Sequence, residues 1–183
     1  MTKIDEIIEK INRFEGVNDK ITFKTDVEKM KHVIGYINSQ GIVSSVVIQL
    51  MMFFADMLML ETSNRTLYGE MYIAARNERF FTVTGIELGE YLKDKENIEL
   101  HEDYNLDYLS GSDIAALNEE IEIFKNFNLD EYIKMIKENK YTKIINQEMG
   151  DKDYYFVRWE PLIKDFPDEK QNWLKDFYEA IVY

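Results

Sequence analysis

Chemistry near neutral pH usually relies on a histidine, a thiol, paired carboxylates or a phosphate-binding loop, and this chain offers few of them. Its two histidines are His32 and His101. His32 falls between Lys29 and Lys31 on one side and Val33-Ile34 on the other, in a stretch that reads as helix, so a solvated imidazole is expected. His101 lies in Glu99-Leu100-His101-Glu102-Asp103, where an imidazole and acids could in principle ligate a metal, but no second His or Cys stands at ligand spacing. Asp103-Tyr104-Asn105-Leu106-Asp107 opens like a calcium loop, then places Tyr108 where the turn glycine belongs and Ile114 where the bidentate acid belongs. No GxGxxG, GxxxxGK[ST] or GxSxG occurs. The absence of Cys excludes thiolate nucleophiles, disulfides and thiolate metal sites. No catalytic residue, no metal ligand and no cofactor site is expected.

Other polar residues stand out by position. Asp56 interrupts the apolar run Phe53-Phe54-Ala55-Asp56-Met57-Leu58, where an unpaired carboxylate would be costly. It must face solvent at a helix edge, accept hydrogen bonds from a neighbouring turn, or meet a partner. Lys134, Lys137, Lys140 and Lys143 recur every three residues and read as a basic row along one helix edge. Acid pairs such as Glu119-Glu120 are common because the chain carries 35 Asp+Glu, and a solvated face is the expectation for each.

The elements that must carry these residues are mostly helices. The chain of 183 residues suits one core, its hydrophobic fraction of 45% can fill it, and 2 Pro with 8 Gly leave few breakers. A first helix is predicted from Lys3 to Phe14, with Ile4, Ile7, Ile8, Ile11 and Phe14 at helical spacing. Thr25-Asp26-Val27-Glu28 reads as a capping box for a second helix, whose stripe is Val27, Met30, Ile34 and Ile37 and whose end is marked by Gly41. A third helix, from Ser45 to Glu61, is apolar on nearly every face and should be central, with Leu50, Phe53 and Met57 buried. Val46–Leu60 falls short of the ~20 apolar residues that span a bilayer, so a core helix is expected there.

Thr66 to Tyr91 reads as a helical piece followed by a strand or loop, and Lys93 to Asn105 as a charged loop. Ser110-Gly111-Ser112-Asp113 starts a further helix bearing Ile114, Leu117, Ile121 and Phe124. Asn128 caps the next, which carries Leu129, Ile133 and Ile136. Tyr154-Tyr155-Phe156-Val157 is a candidate strand, and Pro167 suits the first turn of a last helix with Trp173, Leu174, Phe177 and Ile181 on its apolar face. The expected fold is mainly α: a single domain over residues 1–183, built as a helical bundle around a buried central helix with one or two short β segments.

Val47-Ile48-Gln49-Leu50-Met51-Met52-Phe53-Phe54-Ala55-Asp56, then Leu67-Tyr68-Gly69-Glu70-Met71-Tyr72-Ile73-Ala74, resembles the opening of the Panacea (SocA-like) domain. That opening is a leucine-rich helix ending in Tyr-Phe-Ala-Asp, followed by a Thr-Gly-x-x-Tyr-x-Ala segment. Downstream, Leu109-Ser110-Gly111-Ser112-Asp113-Ile114-Ala115-Ala116-Leu117 is similar to the same domain's Leu-Ser-x-Ser-Asp-x-x-x-Leu helix start. The resemblance covers about residues 26–146. The family's Gly-Pro-Val after its second motif is replaced here by Ala75-Arg76-Asn77.

The resemblance implies an antitoxin-type module that binds a toxin directly or presents it to a protease, with no active site. The charge of −13 disfavours nucleic-acid binding and favours a basic protein partner. It also fits an alternative, a phage or mobile-element inhibitor of a host defence enzyme that mimics nucleic acid. The Cys-free composition and a start without a basic segment followed by an apolar run are what a cytoplasmic chain would show. The expected contact region follows the central helix at Asp56, Tyr68, Tyr72, Arg76 and Arg79, since Tyr and Arg dominate interface energies.

Overall fold

In the computed structural model, residues 25–76, 81–92 and 104–181 are described. The expected first helix, Arg79 and His101 lie outside them. Asp26 caps the first described helix, α1 (Val27–Ser39), by accepting the Lys29 N–H at 3.0 Å. Thr25, the sequence candidate for that cap, turns its hydroxyl to Glu70. Met30, Ile34 and Ile37 are buried as their spacing requires, whereas Val27 at the helix start is exposed. Beyond the helix end, Gly41 takes φ +84°, a left-handed conformation that suits glycine and turns the chain back toward the next helix.

The central helix α2 spans Ser45–Ser63. Met51, Met52, Phe53, Ala55 and Asp56 are all fully buried, so its middle is covered on every face. It is long and apolar enough to cross a membrane by length and composition, yet 72% of its apolar window is buried inside the fold. Asn64, with φ 56°, ends it in the left-handed turn that Asn tolerates.

The segment after it corrects the sequence reading. Residues 66–71 are irregular, and the chain then forms the strands β1 (Tyr72–Arg76) and β2 (Phe81–Gly85) and the short helix α3 (Ile86–Tyr91). The helical piece expected early in Thr66–Tyr91 is replaced by irregular chain and strand, because pairing decides this segment. β1 is the middle strand of an antiparallel sheet ordered β2-β1-β3, flanked by β2 and by the distant β3 (Tyr154–Phe156). Strand preference is a matter of what a side chain packs against more than of backbone propensity. Here Tyr72 and Ala74 both enter the core.

Helix α4 (Gly111–Lys125) begins at the predicted capping box, with Ser110 and Asp113 bonding each other's backbone N–H. A second capping box, Asn128 with Glu131, starts α5 (Leu129–Glu138). Asn139 leaves the helical region at ψ 141° and caps α6 (Lys140–Met149). The break divides the row of lysines: Lys134 and Lys137 lie on α5, Lys140 and Lys143 on α6, so no single basic edge exists. After β3 come α7 (Trp159–Ile163) and α8 (Asp168–Ile181), with Pro167 just before the last helix. On α8, Leu174 is buried but Trp173 is 43% exposed, against expectation. Among the described residues there are eight α-helices, and the fold is mainly α.

The packing order sets the ends of the molecule. α2 packs against α4 and against the sheet through β2. Arg65, just past the end of α2, bonds Ser110, Ser112 and Asp113 at the start of α4. At the opposite end Lys125 donates to Gln40 in the α1–α2 turn at 3.3 Å. Those two ties make α2 and α4 antiparallel, so the first turn of α2 and the last turn of α4 share one end.

Candidate functional site

Five residues were expected to form a partner-binding surface, and the structure places three of them in the interior. Asp56 and Tyr72 are completely buried and Tyr68 is 3% exposed. Asp56, in the middle of α2, accepts the Leu67 N–H at 2.5 Å and the Tyr72 hydroxyl at 2.6 Å. Tyr72 and Tyr68 share a hydrogen bond of 3.0 Å between their hydroxyls. The Tyr72 ring packs edge-on against Phe53 and Trp159. The correction has a plain cause: the strap after α2 crosses back over that helix, and its backbone and tyrosines need a buried acceptor. Arg76 ends β1, and Arg79 lies outside the described residues.

The acid–tyrosine group is a structural clasp with unusual electrostatics. Burial pushes the Asp56 carboxyl from 3.8 up to about 7, against the pull of the Tyr72 and Leu67 hydrogen bonds. Burial and the Asp56 charge also raise both tyrosines well above their usual value. Glu70, fully buried by surface area, is likewise pushed up to about 7 by burial. It accepts the Met71 N–H at 2.9 Å and the Leu88 N–H at 3.1 Å, and so ties β1 to the first turn of α3. Gly85 leaves room for it, since a Cβ there would lie 2.5 Å from Glu70 Cγ.

Two further polar groups also join elements. Asp113, 1% exposed, meets Lys29 and Arg65, each at 2.8 Å. Burial alone would raise its carboxyl, but Lys29, the Ser110 N–H and Arg65 outweigh that and hold it below the usual range. Glu61 at the end of α2 bonds Lys140 and Tyr141, and Lys170 reaches the Glu61 carbonyl. Together they pin α6 and α8 to the central helix.

His32 is the second correction among the chemically capable residues. It is not solvated: the Asn105 N–H donates to its Nδ1 at 3.0 Å and its ring stacks on Tyr108 at 4.1 Å. Acceptance at Nδ1 makes the neutral Nε2–H tautomer the one that fits. The segment that the imidazole holds crosses α1 at Gly35, where a Cβ would lie 2.4 Å from Tyr104 Cβ.

Sequence reasoning did not single out the exposed apolar side chains as a surface. Among the described residues the large exposed apolar side chains are Val27, Val43, Val46, Leu106, Tyr108, Phe127, Leu129 and Trp173. Leu129, grouped in the sequence with Ile133 and Ile136, is 53% exposed. As the first residue of α5 it sits before the helix has turned its apolar side inward. Comparison of the chain with protein-family models, curated proteins and solved structures gives no match.

Proposed function

We propose that this chain is a cytoplasmic protein-binding module of the antitoxin type, which neutralises a partner toxin by direct contact. The observation that carries the reading is the division of labour among its side chains. The polar residues in the segments that resemble the Panacea domain, such as Asp56, Tyr72, Ser110 and Asp113, hold one element to another. Large apolar side chains meanwhile stand exposed on the helix ends and turns. Exposed apolar groups in an acidic rim are what a protein partner uses, the apolar area for affinity and the charge for encounter rate. Catalysis has no assigned residue in this reading, and the function resides in the surface.

The test is neutralisation. The tagged chain is isolated from its native cells, a stoichiometric partner is identified by mass spectrometry, and that partner is expressed alone and together with this chain. Growth arrest by the partner alone and rescue by co-expression support the proposal. A stoichiometric partner that arrests nothing, or arrest that co-expression does not relieve, overturns it. A partner that proves to be a host defence enzyme would move the reading to an inhibitor.

A further inference from the structure

We propose that the end of the molecule formed by the α1–α2 turn and the α4–α5 corner docks a basic amphipathic helix of the partner. The proposal deepens the protein-binding reading and rests on it. Val43 and Val46, each 37% exposed, flank the start of α2, and Phe127 and Leu129, 43% and 53% exposed, flank the start of α5. The bond from Lys125 to Gln40 brings these two pairs to the same end. Four of the eight large exposed apolar side chains among the described residues therefore collect there.

Internal structure accounts for only part of this. Phe127 precedes the Asn128 cap, where an apolar residue can pack on the fifth residue after it, here the buried Tyr132. Such a staple would cover part of Phe127. It does not involve Leu129, Val43 or Val46, and the capping box needs only Asn128 and Glu131.

Charge selects the occupant. Glu122, Asp130 and Glu131 are exposed around Phe127 and Leu129, and Lys125 is engaged by Gln40 and Glu122. Lys134 lies a full turn further along α5. A second copy of the chain would bring these acids face to face on two bodies of charge −13. Cations on the partner would meet them instead. At the start of α5 the Asn128–Glu131 capping box leaves few backbone N–H groups for an extended peptide to pair with. A helix brings its own satisfied backbone and a stripe of apolar side chains.

The experiment uses the full chain, labelled with nitrogen-15, and an 18-residue Leu/Lys amphipathic helical peptide. Controls are a Leu/Glu version and a Leu/Lys peptide of the same composition without the apolar stripe. Expected are shifts confined to residues 40–49 and 122–134, and binding at least tenfold tighter than either control peptide. Val46→Ser with Leu129→Ser, which leaves the charge unchanged, should weaken binding at least tenfold. Glu122→Gln with Asp130→Asn should weaken it and flatten its salt dependence. Leu106→Ser with Trp173→Ser, away from this end, should change affinity less than twofold.

Equal loss from both serine pairs, or shifts spread over the surface, would mean general attraction to an acidic body and would overturn the proposal. Concentration-dependent dimerisation abolished by Leu129→Ser would assign the patch to a second copy and overturn it too. Peptide docking with no neutralised toxin would remove the antitoxin reading while the patch stands. Neutralisation that survives Val46→Ser with Leu129→Ser would remove the patch alone.

Discussion

Replacing Asp56 by Asn removes a charge that the fold suppresses while keeping its hydrogen bonds. The Asn carbonyl can still accept the Leu67 N–H. Its amide can donate to the Tyr72 oxygen, and Tyr72 then donates to Tyr68. Asp56 has a folded value of about 7 against 3.8 when exposed. The folded state therefore holds the proton over a range where the unfolded chain has released it. The stabilisation is fully present below pH ~4 and is lost as pH rises through about 7. At about 1.4 kcal/mol per pH unit, the difference is worth roughly 4 kcal/mol. Near pH 4 the variant should lie within about 1 kcal/mol of the wild type, and at pH 8 it should be more stable by roughly 2–4 kcal/mol. Glu70 titrates in the same direction and remains, so the slope is reduced without vanishing. Urea denaturation between pH 4 and 8, followed by circular dichroism, measures both curves. Superimposable slopes for the two proteins, or a variant less stable than the wild type at pH 8, would refute the reasoning.

Three other substitutions probe the joints around the core. Gly85→Ala drives a Cβ against Glu70 and should cost about 1–3 kcal/mol in urea midpoint stability. Gly35→Ala meets the Tyr104 Cβ in the same way; hydrogen exchange at Asn105 and Tyr108 should accelerate more than in the centre of α2. Arg65→Ala leaves buried Asp113 with Lys29 as its remaining cationic partner and should lower the thermal midpoint by the equivalent of about 1–3 kcal/mol. Because Asp113 has a lowered value, that loss should be greatest above its usual range and shrink as pH falls through it.

Local chemistry decided the helix ends. Asp26, Ser110 with Asp113, and Asn128 with Glu131 each satisfy N–H groups that a helix start leaves unpaired, and that need is visible in a few consecutive residues. The burial of α2 was legible for the same reason: a run apolar on every face has no side left for water. Asn139, a favoured cap residue, marks the break between α5 and α6, although the evenly spaced lysines continue across it.

What tertiary structure alone decided is where polar side chains point. Asp56, Tyr68 and Tyr72 have the composition of a binding hot spot, and sequence cannot tell a tyrosine facing a partner from one facing a buried carboxylate. The strand at Tyr72–Arg76 depends on β3 more than seventy residues away, a pairing no local window contains. That exposed Val43 and Val46 share an end of the molecule with Phe127 and Leu129 depends on the antiparallel packing of α2 on α4. Short-range order follows from backbone hydrogen bonds that neighbours can satisfy. Surfaces arise from which distant segments the core brings to the same end.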